Sequence, residues 1–147
     1  MGLLGGADLI AFDTETTSLD YMQAEIVGVS FAVVPGVAAY VPLAHAYPGA
    51  PAQLPRDEVL KRLEPLLSAR DVPKLGHNLK YDRNVLANHG VALEGIRHDS
   101  MLESYVLNST ASRHDMDVLA LRHLDYTTIH YEDVAGKGAK QIRFDQV

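Results

Sequence analysis

The pattern of apolar and polar positions divides the chain into an early β-rich part and a later helical part. Leu9 to Phe12 is a short apolar run closed by Asp13-Thr14-Glu15-Thr16-Thr17-Ser18. It predicts a buried strand that ends near the first carboxylates. Ile26 to Val33 has strand composition, and a period of two puts Val27, Val29, Phe31 and Val33 on one face. Pro35-Gly36 supplies a turn, and Val37 to Val41 a third strand. Three strands joined by short connections predict an antiparallel meander.

Helical spacing follows the Pro-rich loop from His45 to Pro55. Pro55 and Asp57 open a helix carrying Val59, Leu60, Leu63, Leu66 and Leu67, which Pro65 is expected to kink or end. Lys74-Leu75-Gly76 is a short strand. Asn78 to Asn88 reads as a helix with Leu79, Val85 and Leu86 inward and Gly90 at its C-cap. Ser100 and Glu103 have the spacing of a capping box ahead of Leu102, Tyr105 and Val106. Met116 to Leu124 is one more helical pattern, and beyond Tyr126 the chain turns polar. Strands followed by helices that alternate with short strands predict one α/β domain over residues 1–147, with a mixed sheet.

Composition narrows the chemistry. The 147 residues are 47% hydrophobic and 22% charged, which excludes a disordered, collagen-like or coiled-coil chain. There is no Cys, hence no disulfide framework, thiolate zinc site or Fe–S cluster. Apolar runs such as Val37–Val41 are too short to cross a bilayer, and Met1 to Gly6 lacks the features of a signal peptide. These features predict a soluble, reduced, cytoplasmic chain without a membrane partner. A net charge of −6 argues against a basic nucleic-acid coat. It leaves room for an enzyme that holds nucleic acid through cations clamped between carboxylates.

Asp13 and Glu15 stand two apart, so a strand would put both on one face, about 6–7 Å apart. Hard cations such as Mg²⁺ and Mn²⁺ take such carboxylates together with substrate phosphate. With 12 Asp and 7 Glu, about 0.6 Asp-x-Glu pairs arise by chance, so on spacing alone a solvated turn after the strand is the preferred reading. Asn78 and Asp82 share a helix face that could be aimed at that strand end, and from pattern alone an ordinary exposed polar face is the preferred reading. The seven His form no His-x-His or His-Glu-x-x-His run, which weighs against zinc. Gly136-Lys137-Gly138-Ala139-Lys140 lacks the spacing of a phosphate-binding Walker loop, and no Ser or Cys nucleophile elbow is present.

The wording of the motifs carries more than their spacing. Phe12-Asp13-Thr14-Glu15-Thr16 followed by Ser18-Leu19-Asp20 resembles the first exonuclease motif of the proofreading 3′–5′ exonuclease domain of family A DNA polymerases, the bacterial DNA polymerase I type. Gly76-His77-Asn78-Leu79-Lys80-Tyr81-Asp82-Arg83 resembles the second motif. Pro35 to Tyr40, Asp99 to Tyr105, Arg113-His114-Asp115-Met116-Asp117 and Ala135-Gly136-Lys137-Gly138 are similar to further stretches of that family. The likeness runs from Leu9 to Val147, and the extra stretches separate it from ribonuclease D.

The resemblance implies a ribonuclease H-like fold and hydrolysis of the 3′-terminal phosphodiester of single-stranded DNA by two divalent ions, Mg²⁺ or Mn²⁺. By matched position, Asp13 would bridge the ions, Glu15 would bind the nucleophile-side ion, and Asp82 would hold the leaving-group ion largely through water. Leu19 matches a wedge beside the terminal base, and Tyr131 an aromatic that stacks on it. Asn78, Tyr81, Met101 and Arg113 match further DNA-binding positions. A nucleoside monophosphate product and a polymerase domain in the same parent chain are implied as partners.

The family's third motif, Tyr-x-x-x-Asp, has no counterpart in these residues. The positions four after each Tyr are Glu25, Ala44, Pro51, Val85, Ser109, His130 and Ala135. The resemblance therefore implies a partial domain of weak or lost activity. Two other classes stand beside it: a non-catalytic DNA-binding or structural module of a polymerase, and an RNA-trimming exonuclease of the ribonuclease D type.

Overall fold

The computed structural model describes Leu4 and residues 6–147. Residues 1–3 and 5 of the leading stretch, read above as lacking a signal peptide, lie outside the described residues. The first strand, β1 (Ile10–Thr16), is followed by β2 (Ile26–Val34) and β3 (Val37–Pro42), and then by α1 (Arg56–Leu67). Next come β4 (Lys74–Gly76), α2 (Leu79–Asn88), β5 (Ile96–Asp99) and α3 (Ser100–Leu107). Two further helices, α4 (Met116–Leu124) and α5 (Tyr131–Ala135), and two single 3₁₀ turns complete the chain. The five strands lie in the order β3-β2-β1-β4-β5. β1 is antiparallel to β2, and β2 to β3, whereas β4 runs parallel to β1 and to β5. The α/β class, the meander and the mixed sheet expected from the sequence are all present.

Alternation along β1 separates two faces. Ile10 and Phe12 enter the core with Val29 and Phe31 of β2, where the two Phe rings lie 5.3 Å apart. Leu60, Leu63 and Leu67 of α1 and Leu79, Val85 and Leu86 of α2 cover that face. Asp13 and Glu15 point to the other face, opposite Ser30 and Gly28 of β2. A register shift between Glu15 and Thr16 leaves Val27 unpaired in the ladder, so Val27 does not share the alternation of Val29 and Phe31.

Several sequence expectations are corrected. β1 continues to Thr16, so the carboxylates lie inside the strand, held there by ladder bonds to β2. α1 runs through Pro65 to Leu67 without ending there. Near a C-terminus Pro removes one backbone bond only, and the burial of Leu67 holds the last turn in place. Asn78 caps α2 from a left-handed conformation (φ 60°) and is not its first turn. β5, α5 and the 3₁₀ turns were not visible in the pattern. They are short, and β5 exposes three of its four residues.

The expected Ser100–Glu103 capping box is replaced by Asp99. Its carboxylate accepts the backbone N–H groups of Met101 (3.1 Å) and Leu102 (3.3 Å) at the start of α3. It also accepts those of Asn78 (3.0 Å) and Leu79 (2.9 Å) at the start of α2. One buried carboxylate thus satisfies orphan donors of two helices and favours both dipoles. Ser100 instead donates to the Gly76 carbonyl and meets His77 Nδ1 at 2.9 Å. Removing four charge-assisted bonds is expected to destabilise the fold by about 2–3 kcal/mol. Urea denaturation of Asp99→Ala should show that loss, with Asp99→Asn losing roughly half as much.

Candidate nuclease active site

Three acidic side chains lie near one another toward the end of β1. Asp13 and Glu15 stand there because the strand's two-residue period carries both to the face away from the core. Asp82 comes from the first turn of α2 and is 2% exposed. Its Oδ1 accepts the Thr14 backbone N–H (2.9 Å) and the Thr14 hydroxyl (2.6 Å). That clamp fixes helix to strand and brings Asp82 between the neighbours of Thr14.

The electrostatics are those of crowded, uncompensated carboxylates. Burial, and then the charges of Asp82 and Glu15, push Asp13 from 3.8 up to about 7. Burial and the charge of Asp82 push Glu15 from 4.5 up to about 7. Burial also raises Asp82, against the lowering effect of its bonds to Thr14. Among the described residues no Lys, Arg or His pairs with any of the three. Such a cluster suits divalent cations, which would replace the missing positive charge. No three of the described acidic or His side chains close on a single point. The donor set fits ions held by one or two carboxylates with water and substrate oxygens completing the shell.

A cleft of about 610 Å³ opens beside Glu15, lined by Thr14 to Leu19, Tyr81, Tyr131, Gln141, Ile142 and Arg143. Leu19 is 96% exposed at its rim, too open for a core residue. Tyr81 donates to the Ser18 carbonyl and meets the Thr16 hydroxyl at 2.5 Å, bracing the turn that presents Leu19. Tyr131 stacks on Phe144 with centroids 6.0 Å apart, and its hydroxyl is raised by burial and by the charges of Glu15 and Asp145. Arg113 lies in an adjoining groove of about 550 Å³ that shares Tyr131 and Gln141 with the first. Asn78 and Met101 line neither groove: Asn78 is spent on the turn into α2, and Met101 sits half-buried in the first turn of α3.

Sequence reasoning overlooked Gln141, Ile142 and Arg143, whose polar segment carries no period. It also overlooked Tyr40. In β3, Tyr40 pairs with Ser30, which pairs with Asp13, so all three share the acidic face. A bulge at Val33 decides this. Continuing the Val34–Val37 register would have set Tyr40 opposite Phe31, on the core face.

The five-stranded mixed sheet and its helices form a fold of the ribonuclease H-like exonuclease kind. A family model described as 3′–5′ exonuclease matches residues 3–147, and the chain belongs to that family. DNA polymerase I of Pseudomonas aeruginosa is 63% identical over 143 residues, covering 96% of this chain and 16% of the relative. DNA polymerase I of Rhizobium leguminosarum is 42% identical over 156 residues, covering 95% and 15%. The chain thus spans about one sixth of the length of these curated relatives. Among solved structures, Brucella melitensis NrnC with bound Mg²⁺ shares the fold at a TM-score of 0.66 and 22% identity, over 84% of this chain and 57% of that one. Trypanosoma brucei RNase D does so at 0.63 and 21%, over 86% and 43%.

The raised carboxylates set the pH dependence of the metal-free protein. Their folded pKa values exceed the unfolded ones, so the folded chain binds more protons between about pH 4 and 7. Stability conferred by the protonated forms is therefore lost as pH rises through that window. Asp13→Asn should raise the melting temperature at pH 8 by about 2–4 °C and leave it unchanged at pH 4, as followed by circular dichroism in EDTA.

Proposed function

We propose that this chain is the proofreading 3′–5′ exonuclease domain of a DNA polymerase I, removing nucleotides from single-stranded DNA 3′ ends by two-ion hydrolysis. The observation that carries this reading is the trio of buried Asp82 and half-buried Asp13 and Glu15, without cationic partners, beside a cleft rimmed by an exposed Leu19. The identity of 63% to one DNA polymerase I favours DNA over RNA, since the likeness to RNase D is one of fold.

In this reading Asp13, Glu15 and Asp82 would hold the ions, Asp13 shared between them, Glu15 toward the attacking water and Asp82 toward the leaving 3′-oxygen. The ions, when bound, lower the pKa of water and neutralise the leaving oxyanion. The clamp to Thr14 turns Oδ1 of Asp82 inward and leaves Oδ2 for water or cation. Leu19 and Tyr131 receive the terminal base, with stacking of about 1–3 kcal/mol per base. Tyr81 and Arg113 act on the adjacent nucleotides, and Asn78 and Met101 act through the segments they anchor. The products are nucleoside monophosphates, the partner is a polymerase domain of the same parent, and the setting is cytoplasmic. Among the described residues no helix is long and apolar enough to cross a membrane.

Mg²⁺ or Mn²⁺ should drive shortening of a 5′-labelled DNA strand by the purified chain, visible as a ladder on a sequencing gel. Asp13→Ala and Asp82→Ala should slow it by about 100-fold or more, and an RNA strand of the same sequence should be cut more slowly. Undegraded DNA in the presence of folded protein and Mn²⁺ would show that these three carboxylates do not suffice.

A further inference from the structure

The acidic face carries a second polar assembly that the proposed mechanism does not use. Tyr40 lies on the edge strand, in the ladder row of Ser30 and Asp13. Its ring leans diagonally across β2, so that a Cβ added at Gly28 would overlap the phenol. Gly28 is the ladder partner of Glu15. The Tyr40 hydroxyl therefore stands above β2, one strand spacing (about 4.8 Å) from the strand that bears Glu15. The glycine is what lets it reach there.

Behind the hydroxyl stands His45. Its Nε2 is 2.7 Å from Tyr40 Oη, and its Nδ1 is 3.0 Å from the Val147 main-chain oxygen. Gln53 pins the His45 backbone on both sides, accepting from its N–H and donating to its carbonyl at 2.8 Å each. Phe144 and Tyr47 pack against the ring, with centroids at 5.8 and 6.2 Å. These partners settle the proton positions. A main-chain oxygen only accepts, so Nδ1 carries a hydrogen, and the tautomer with that single hydrogen has Nε2 accept from Tyr40. The Tyr40 hydroxyl spends its proton on His45 and turns lone pairs toward Glu15. An ionised Glu15 is an acceptor as well, and two acceptors on one face call for a donor between them.

We propose that Tyr40, oriented by His45, is a positioning residue that holds a water molecule against the Glu15 carboxylate and so fixes the carboxylate for its cation. The water donates one O–H to Tyr40 and the other to Glu15, which locks the Glu15 rotamer and leaves its remaining oxygen for the ion. The hydroxyl is suited to this. Burial and the nearby Glu15 charge push it up to about 12, so it keeps its proton at working pH. Outer-shell partners of this kind typically change metal affinity 10–100-fold. The inference rests on the reading of Asp13 and Glu15 as cation ligands.

Mn²⁺ binding to the 147-residue chain tests it, measured by calorimetry and by loss of the free Mn²⁺ electron paramagnetic resonance signal. Tyr40→Phe, which removes one oxygen, should weaken Mn²⁺ binding about tenfold with the thermal melt unchanged. His45→Leu should do the same, and His45→Gln, which restores an acceptor for Tyr40, should stay within about threefold of the native protein. The Tyr40→Phe/His45→Leu double variant should be no weaker than either single one, because the two act as one unit. Native-like Mn²⁺ affinity in folded Tyr40→Phe would overturn the inference alone. Native protein binding Mn²⁺ no better than Asp13→Asn would overturn the reading of the carboxylates, and the inference with it.

Discussion

The carboxylate of Asp82 takes both hydrogen-bond donors of Thr14, and the acidic face is arranged around that contact. Thr14 sits between Asp13 and Glu15, so whatever binds Thr14 stands beside both. The bonds are short and buried, where a lost partner would leave an unsatisfied charge in a medium of low dielectric. They make like charges tolerable at close quarters, since they favour the ionised form of Asp82 against burial. The helix that delivers Asp82 is held in turn by Asp99, which also starts α3. Two carboxylates therefore organise this end of the sheet: Asp99, satisfied by the backbone of two helices, and Asp82, bonded to Thr14 between the other two acids.

The sheet explains the rest of the site's layout. β1 lies at the centre, with antiparallel β2 and β3 on one side and parallel β4 and β5 on the other. The core face is filled by Phe12, Val29, Phe31 and the leucines of α1 and α2. The opposite face next to the acids carries the small residues Gly28, Ser30 and Ala32, and Gly28 admits the Tyr40 ring. Leu19 and Tyr131 flank the same end, and the chain's last turn, Phe144 to Gln146, closes one wall with Arg143. An overall charge of −6 is no obstacle to a nucleic-acid substrate when bound cations supply the positive field.

Much of this was legible in the sequence, because the elements that carry the motifs are strongly patterned. Alternation exposed the meander, and helical spacing placed Leu60, Leu63, Leu79, Val85 and Leu86 inward, as observed. The motif wording pointed to Asp13, Glu15 and Asp82, which spacing alone left open. What escaped was set by long-range geometry. The Asp99 cap was misread as Ser100, since a carboxylate serving two helices 20 residues apart leaves no local signature. Tyr40 was assigned to a strand without a face, because one bulged residue at Val33 decides which side it takes. Gln141 to Arg143 reach the cleft through a 3₁₀ turn and irregular chain that no period describes.

The central claim is that the end of β1 is a cation site built by Asp13, Glu15 and Asp82. Anomalous diffraction from crystals of this chain soaked in Mn²⁺ and thymidine monophosphate tests it most directly. The account predicts a strong peak against Asp13 and Glu15, and a second about 3.5–4 Å away on the Asp82 side, with the phosphate between Leu19 and Tyr131. Well-ordered crystals in which Mn²⁺ binds elsewhere and these carboxylates remain free of metal would contradict it.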